Sequence, residues 1–273
     1  MKENRFQSPA KKVAIIGYGA IGAEICGQLN SDPSVFVSDV LVRPGRTADV
    51  RAALGPHVRV VTRPEDLSPD VSFVLECAGH AAVQNTAPAV LRLGFHLGIL
   101  SAGALADEQT ARALEDAALQ GGAQISVLPG AIGGIDALAA AQDGLDTVIY
   151  AGRKPPQAWR GSPAEEICTL DDLTEEFEFF SGSAREAARL FPKNANVVAT
   201  VALASVGFDD TRVTLVADPR AAGNSHRIVA TGPVVSLDYT TAGSPLASNP
   251  KTSALTALSA LRALRNQGCL IRI

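Results

Sequence analysis

The chain has 273 residues and a formal charge of −4; 47% of its residues are hydrophobic, 19% are charged, and 24 are glycine. That composition belongs to a folded protein with a sizeable core and excludes a disordered chain. The balance is slightly acidic with no basic block interleaved with aromatics, which argues against nucleic acid as a partner. No apolar run is long enough for a membrane span. Residues 1–12 are polar and lack the apolar region of a signal peptide. Cys26, Cys77, Cys168 and Cys269 are scattered, as reduced thiols of a cytoplasmic protein would be. Cys77 and His80 lie close, but no second pair completes a metal site.

In chain order, residues 1–11 read as a loose lead-in and 12–16 as a first strand. The strand runs into Gly17-Tyr18-Gly19-Ala20-Ile21-Gly22, and Ile21, Ile25 and Leu29 give a helix over 20–30 one apolar face. G-x-G-x-x-G between a strand and a helix is the setting for a dinucleotide pyrophosphate. Gly17 makes the tight turn, Gly19 admits the phosphates to the backbone, and Gly22 brings helix and strand together. Gly17, Gly19, Ala20, Ile21 and Gly22 are therefore expected to hold NAD or NADP at the positive end of the helix.

A second strand covers 35–42. Folds that prefer NAD usually end this strand in Asp or Glu, which holds the ribose 2′-hydroxyl. Here Leu41 and Val42 stand at that place, with Arg43 and Arg46 beyond. Two guanidiniums suit a 2′-phosphate, so NADP is expected to be accepted alongside NAD.

A helix over 47–54, a strand over 57–61 and an apolar strand over 71–77 follow; this last strand ends in Ala78-Gly79-His80, and a helix follows to about Leu93. A strand over 95–100, a helix from Asp107 or Glu108 to Gly121-Gly122 and a strand over 124–128 continue the alternation. Such alternation implies α/β architecture with a doubly wound parallel sheet, a Rossmann domain. Ligands of this fold sit beyond the carboxyl ends of the strands. That edge is expected to collect Gly17–Gly22, Arg43, Ala78–His80, Ser101–Ala104 and Pro129–Gly134, with Ala78 among the cofactor contacts.

The pattern changes after Ala139. A strand over 147–153 precedes a proline-rich segment that holds Trp159, and a strand over 177–180 follows. Ser183, with Glu186 three residues on, opens a helix as a capping box. A further helix runs from Pro192 to Ser205, and three strands, 211–217, 225–230 and 234–239, read as successively antiparallel. Asn249-Pro250-Lys251-Thr252 reads as a turn before an amphipathic helix over 253–266, whose leucines at 255, 258, 261 and 264 read as one core stripe. The expected division is 1–129 for the dinucleotide, with 246–273 packing back on it, and 130–245 as a smaller α+β substrate domain. By residue type alone, His80 in the turn after the fourth strand and His226 in the second domain compete as proton carriers. His57 and His96, in or beside strands, read as structural.

Several of these stretches together resemble the L-aspartate dehydrogenase family. They are Ile16–Gly22, Gly130-Ala131-Ile132-Gly133-Gly134-Ile135-Asp136-Ala137, Gly182-Ser183-Ala184 with Phe191-Pro192-Lys193-Asn194-Ala195-Asn196-Val197, Asn224-Ser225-His226, and Asn249-Pro250-Lys251-Thr252-Ser253. They stand in the family's order and span nearly the whole chain. The resemblance implies NAD(P)-dependent, reversible oxidative deamination of L-aspartate to oxaloacetate and ammonia through iminoaspartate. It implies His226 as the active-site residue and Ala131 and Asn196 as cofactor contacts. It also implies a homodimer, with the second domain serving dimerisation, and a link to NAD biosynthesis. Pro129 departs from the small residue that often precedes the glycine-rich loop. Leu41 departs from the carboxylate of some relatives, which leaves the choice of coenzyme open.

Aspartate is a dianion with an ammonium, so its site needs cations and a proton carrier. His226 has the intrinsic pKa for the second task. Lys193, at a helix start, is expected to serve as a cation or second proton carrier, with Lys251 a weaker counterpart. Two other functions would use the same fold: a reductase of the dihydrodipicolinate type, acting on a cyclic imine, and a non-catalytic NADP-binding sensor.

Overall fold

The computed structural model describes residues 10–272, apart from the side chains of Lys193, Pro250 and Lys251. The first half consists of β1 (Lys11–Ile16), α1 (Ala20–Leu29), β2 (Val35–Leu41), α2 (Thr47–Leu54), β3 (Arg59–Val61) and β4 (Val71–Glu76). It continues with α3 (His80–Asn85), α4 (Ala87–Arg92), β5 (Leu97–Ile99), α5 (Glu108–Gly121) and β6 (Ile125–Val127). The strands form one sheet in the order β3-β2-β1-β4-β5-β6, every neighbouring pair parallel. This is the doubly wound order, and it reverses between β1 and β4.

Burial explains the lack of alternation in these strands. Val13 and Ile15 of β1 enter one core cluster, with Ile25, Leu29, Leu75, Leu261 and Leu264. Ala14 and Ile16 enter the cluster on the opposite face, with Val74, Leu91 and Leu114. A strand covered on both faces reads as a continuous apolar run. The single helix expected after His80, to about Leu93, instead begins at His80 and is two, α3 and α4, divided at Thr86. Pro88 lies in the first turn of α4; it has no N–H to give and its ring clashes with the carbonyl one turn back, so the helix restarts.

The second half holds α6 (Ile135–Ala140), β7 (Thr147–Lys154), α7 (Ala164–Ile167), β8 (Phe177–Ser183), α8 (Ala184–Leu190), α9 (Asn196–Leu203), β9 (Arg212–Ala217), β10 (Asn224–Thr231) and β11 (Ser236–Gly243). It ends with β12 (Pro245–Leu246), β13 (Asn249–Ser253) and α10 (Ala254–Gly268). Ser183 and Glu186 form the expected capping box at α8. The larger sheet runs β11-β10-β7-β9-β8. It corrects the expectation of three successive antiparallel strands. β10 does pair antiparallel with β11, but β7 stands between β9 and β10, antiparallel to β10 and parallel to β9. β9 buries Val213, Leu215, Val216 and Ala217, and so takes a central place with a neighbour on each side.

Two further details differ at the C-terminal end. Asn249–Ser253 is not a turn but strand β13, paired with β12. The leucines of α10 do not form one stripe. Leu261 and Leu264 are buried beside Ala257 and Ala260, whereas Leu258 is 55% exposed. A spacing of three falls short of the 3.6-residue turn, so leucines so spaced wind around the helix.

By their contacts the residues fall into two units. One runs to Leu128 and includes Ala257 onward; the other is Pro129–Thr256. Among the described residues no helix is long and apolar enough to cross a membrane.

Candidate active site

In the first unit, the carboxyl ends of β1, β2 and β4 border a cavity of about 710 Å³ whose wall includes Gly17, Tyr18, Gly19, Arg43, Arg46 and Ala78. Gly17 has φ +98°, and a Cβ there would lie 2.7 Å from the Cβ of Ala78, so only glycine fits. A Cβ on Gly22 would stand 2.5 Å from the carbonyl oxygen of Gly17 and 3.4 Å from Cys77 Sγ, which is the close helix–strand approach the motif requires. A Cβ on Gly19 would meet nothing within 4 Å. This open backbone, at the N-cap of a helix that no side chain caps, fits a pyrophosphate. Ala20 and Ile21 form the first turn of α1. Ile21 turns its side chain into the core, so its backbone is what faces a phosphate.

The turn that carries Ala78 is held by Glu76, a fully buried carboxylate. Its oxygens accept the N–H groups of Ala78 at 2.7 Å, Gly79 at 2.8 Å and Ser101 at 3.0 Å, and the Ser101 hydroxyl at 2.9 Å. At the ribose position, Leu41 and Val42 line the wall beside Arg43 and Arg46. The nearest acid on β2, Asp39, is fully buried and bonded to Arg59, Ser38 and Ser68. It is therefore committed to the core. Among the described residues, the ion pair of Arg46 is a long one, 3.9 Å to Asp49. His80 opens α3 and is not part of the cavity wall. His96 is structural: its Nδ1 accepts the Gln124 N–H at 3.0 Å.

In the second unit, the inward series of β7 is Val148, Tyr150, Gly152 and Lys154, and His226 of β10 sits directly opposite Gly152. Tyr150 is almost completely buried, and its Oη lies 2.7 Å from His226 Nδ1. Gly152 makes this bond geometrically feasible, because a Cβ there would be 2.9 Å from Tyr150 Oη. His226 is 5% exposed. Burial, and then the charge of Lys154, lower its pKa to about 3. The expectation of a near-neutral pKa is thus corrected, since this imidazole rests uncharged in a dry site beside a cation. Tyr150 is the hydrogen-bond partner of its Nδ1, and no buried side-chain nitrogen or oxygen among the described residues lacks a partner. Nε2 therefore lies at the accessible edge of the ring.

Lys154 donates from Nζ to Asn194 Oδ1 at 2.7 Å, and its ammonium stands 4.7 Å from the centre of the Trp159 ring. Burial lowers its pKa to about 8. Asn194 belongs to the Pro192–Asn194 turn that leads into α9, whose first residue is Asn196. The Lys193 side chain, predicted to take part, lies outside the described residues, as does that of Lys251. The glycine-rich loop after Pro129 docks on β11. The Gly133 N–H donates to Thr241 Oγ1 at 3.4 Å, and Thr241 is the cross-strand neighbour of His226. Ala131 in this loop is buried.

Within the second unit, then, the sheet joins His226 and the loop of Ala131 through β11, and Lys154 joins β7 to the turn before Asn196. Sequence reasoning missed Tyr150, Lys154 and Asn194. The available signal was the alternation of β7, in which a lysine continues an otherwise inward-facing series.

Known proteins agree with this layout. The family described as "Aspartate dehydrogenase, C-terminal" matches residues 136–267, and "Homoserine dehydrogenase, NAD binding domain" matches 17–128. L-aspartate dehydrogenase of Cupriavidus necator is 49% identical over 96% of this chain and 99% of its own length. That of Pseudomonas aeruginosa is 46% identical with the same coverage. The crystal structure of aspartate dehydrogenase from Thermotoga maritima superposes with a TM-score of 0.77 at 29% identity, covering 96% of this chain and 99% of that one. With a dinucleotide fold in the first unit, a histidine-centred sheet in the second and near-complete coverage by these relatives, the chain belongs to the L-aspartate dehydrogenase family.

Proposed function

We propose that the chain catalyses the NAD(P)-dependent oxidative deamination of L-aspartate, reversibly, to oxaloacetate and ammonia. The observation that carries this reading is an uncharged imidazole and a half-buried ammonium on one sheet, in a chain 49% identical to an L-aspartate dehydrogenase. The dinucleotide, when bound, accepts a hydride from Cα of the amino acid. Gly17, Gly19 and the first turn of α1 receive its phosphates, and Arg43 and Arg46 admit a 2′-phosphate, so that both NAD and NADP serve. Ala131 and Asn196 are assigned to the cofactor, following the family resemblance.

His226 is assigned the proton traffic. Loss of the hydride and an amine proton leaves an imine. Nε2 carries both water protons to the nitrogen in turn: the first as water adds to the imine carbon, and the second, from the hydroxyl so formed, as the oxygen becomes the carbonyl, the C–N bond breaks and ammonia leaves. Tyr150 fixes the ring through Nδ1 so that Nε2 keeps one direction. A homodimer in the cytoplasm, feeding iminoaspartate to NAD biosynthesis, completes the reading and rests on the resemblance alone.

The test is spectrophotometric. L-Aspartate with NAD⁺ or NADP⁺ is expected to generate the reduced coenzyme, and a cyclic dihydrodipicolinate-type imine is expected to be inert. His226→Asn should lower kcat by about 100-fold or more, the usual worth of a positioned proton carrier, with coenzyme affinity retained. Arg43→Ala should weaken NADP⁺ more than NAD⁺. Wild-type turnover by the His226 variant refutes the assigned role.

A further inference from the structure

We infer that Lys154 is the cationic anchor for a carboxylate of the substrate, a role that rests on the dicarboxylate reading above. An ammonium has three N–H donors. One goes to Asn194 Oδ1 at 2.7 Å, and the Trp159 ring, 4.7 Å away and itself fully buried, fixes the position of the charge without neutralising it. Several arginines of this unit are matched, and Arg189 and Arg212, with no such pair among the described residues, lie exposed to water. Arg153 pairs with Asp218 and Glu176, Arg160 with Asp171, Arg185 with Asp209 and Arg227 with Asp238. Lys154 has no such carboxylate among the described residues. An ammonium drawn out of water without an anion is a costly arrangement, and a protein that retains one has a use for the missing charge.

The position of the missing anion follows from the sheet. Lys154 and Gly152 share one face of β7, and Gly152 is the cross-strand neighbour of His226. The charge of Lys154 reaches the His226 ring. Lys154 is partly exposed and His226 keeps an accessible Nε2, so a small molecule can meet both. A carboxylate on the ammonium places the neighbouring carbon and its nitrogen toward the imidazole, which is the geometry an α-amino acid needs. The same carboxylate offsets the Lys154 charge, which is the lesser of the two causes, after burial, that oppose protonation of the ring.

The experiment uses the full chain as wild type, Lys154→Met, Lys154→Arg and Lys193→Met. Five quantities are read: coenzyme Kd by fluorescence, the kcat and KM of L-aspartate oxidation, the Kd of succinate by calorimetry with coenzyme present, and the melting temperature. Lys154→Met is expected to raise the KM for L-aspartate by about 100-fold and to abolish measurable succinate binding, the scale for removing one partner of a buried charge pair. Its coenzyme Kd should stay at the wild-type value. Lys154→Arg should recover part of the succinate affinity, because the charge remains. Lys154→Met should also melt above wild type by about 2–6 °C, since a desolvated, unmatched charge has gone. A purely structural lysine would not combine added stability with lost anion binding. The inference is overturned if Lys154→Met binds succinate as wild type does, or if Lys193→Met loses succinate while Lys154→Met keeps it. Failure of the wild type to oxidise L-aspartate refutes the proposed reaction instead, and the succinate measurement then decides Lys154 by itself.

Discussion

At the scale of single residues, the unexpected element is a glycine in the middle of a strand. Gly152 has no side chain to pack, and a strand interior is a poor place for glycine unless something must pass close to the backbone. Here the Tyr150 hydroxyl passes over it to reach His226 Nδ1. Gly152→Ala would put a methyl group 2.9 Å from that hydroxyl, 3.1 Å from Tyr150 Cε1 and 3.2 Å from Leu215 Cδ2. The phenol must move, and the expected result is loss of the Tyr150–His226 bond with a destabilisation of about 1–3 kcal/mol, as for an overpacked core. The check is turnover against stability. Gly152→Ala and Tyr150→Phe should show similar falls in kcat, whereas urea unfolding should separate them, with only the alanine variant overpacked. A Gly152→Ala enzyme with normal kcat would detach the tyrosine from catalysis.

At the scale of elements, the motif strand–turn–helix was fully legible. Local sequence sets the turn at Gly17, and burial on both faces sets the apolar run before it. The last helix was legible as a helix but not in its orientation. Leucines spaced by three suggested one buried face, yet α10 buries Leu261 and Leu264 with two alanines and leaves Leu258 55% exposed. The difference is measurable. Leu264→Ala, at 0% exposure, should cost about 2–5 kcal/mol in urea unfolding. Leu258→Ala should remain within about 0.5 kcal/mol of wild type. Equal costs would place the core face of α10 wrongly. The strand β13 was missed for a related reason. A short strand with proline at its second residue carries turn chemistry in its sequence, and only the partner β12 gives it a ladder.

At the scale of the whole molecule, two groups tie stability to pH. His226 holds its proton only below about pH 3 when folded, against 6.5 when unfolded. Between those values the unfolded chain binds a proton that the folded chain refuses, so stability falls as pH drops from 6.5 toward 3. The loss at pH 5 relative to pH 7 is about 2 kcal/mol. Lys154 acts on the other side. Its pKa is about 8 folded and 10.5 unfolded, so the unfolded chain holds the extra proton in that interval and stability recovers as pH rises through it. Urea unfolding at pH 5, 7 and 9.5 checks both slopes. His226→Asn should remove the acid-side difference from wild type and Lys154→Met the alkaline one, and parallel profiles for all three proteins would contradict both shifts. Sequence alone determined the dinucleotide half, because its signals are local: glycine spacing, an apolar strand, a helix beginning at once, and two arginines where a carboxylate often stands. It also singled out His226, through motifs shared with a family. Tertiary structure alone decided the surroundings of that histidine. Whether an imidazole is wet or dry, and whether a lysine has a counter-ion, depends on residues brought from β7, β10 and the Pro192–Asn194 turn, between 40 and 76 positions apart along the chain. Desolvation and charge coupling act through space, and a linear pattern does not record them.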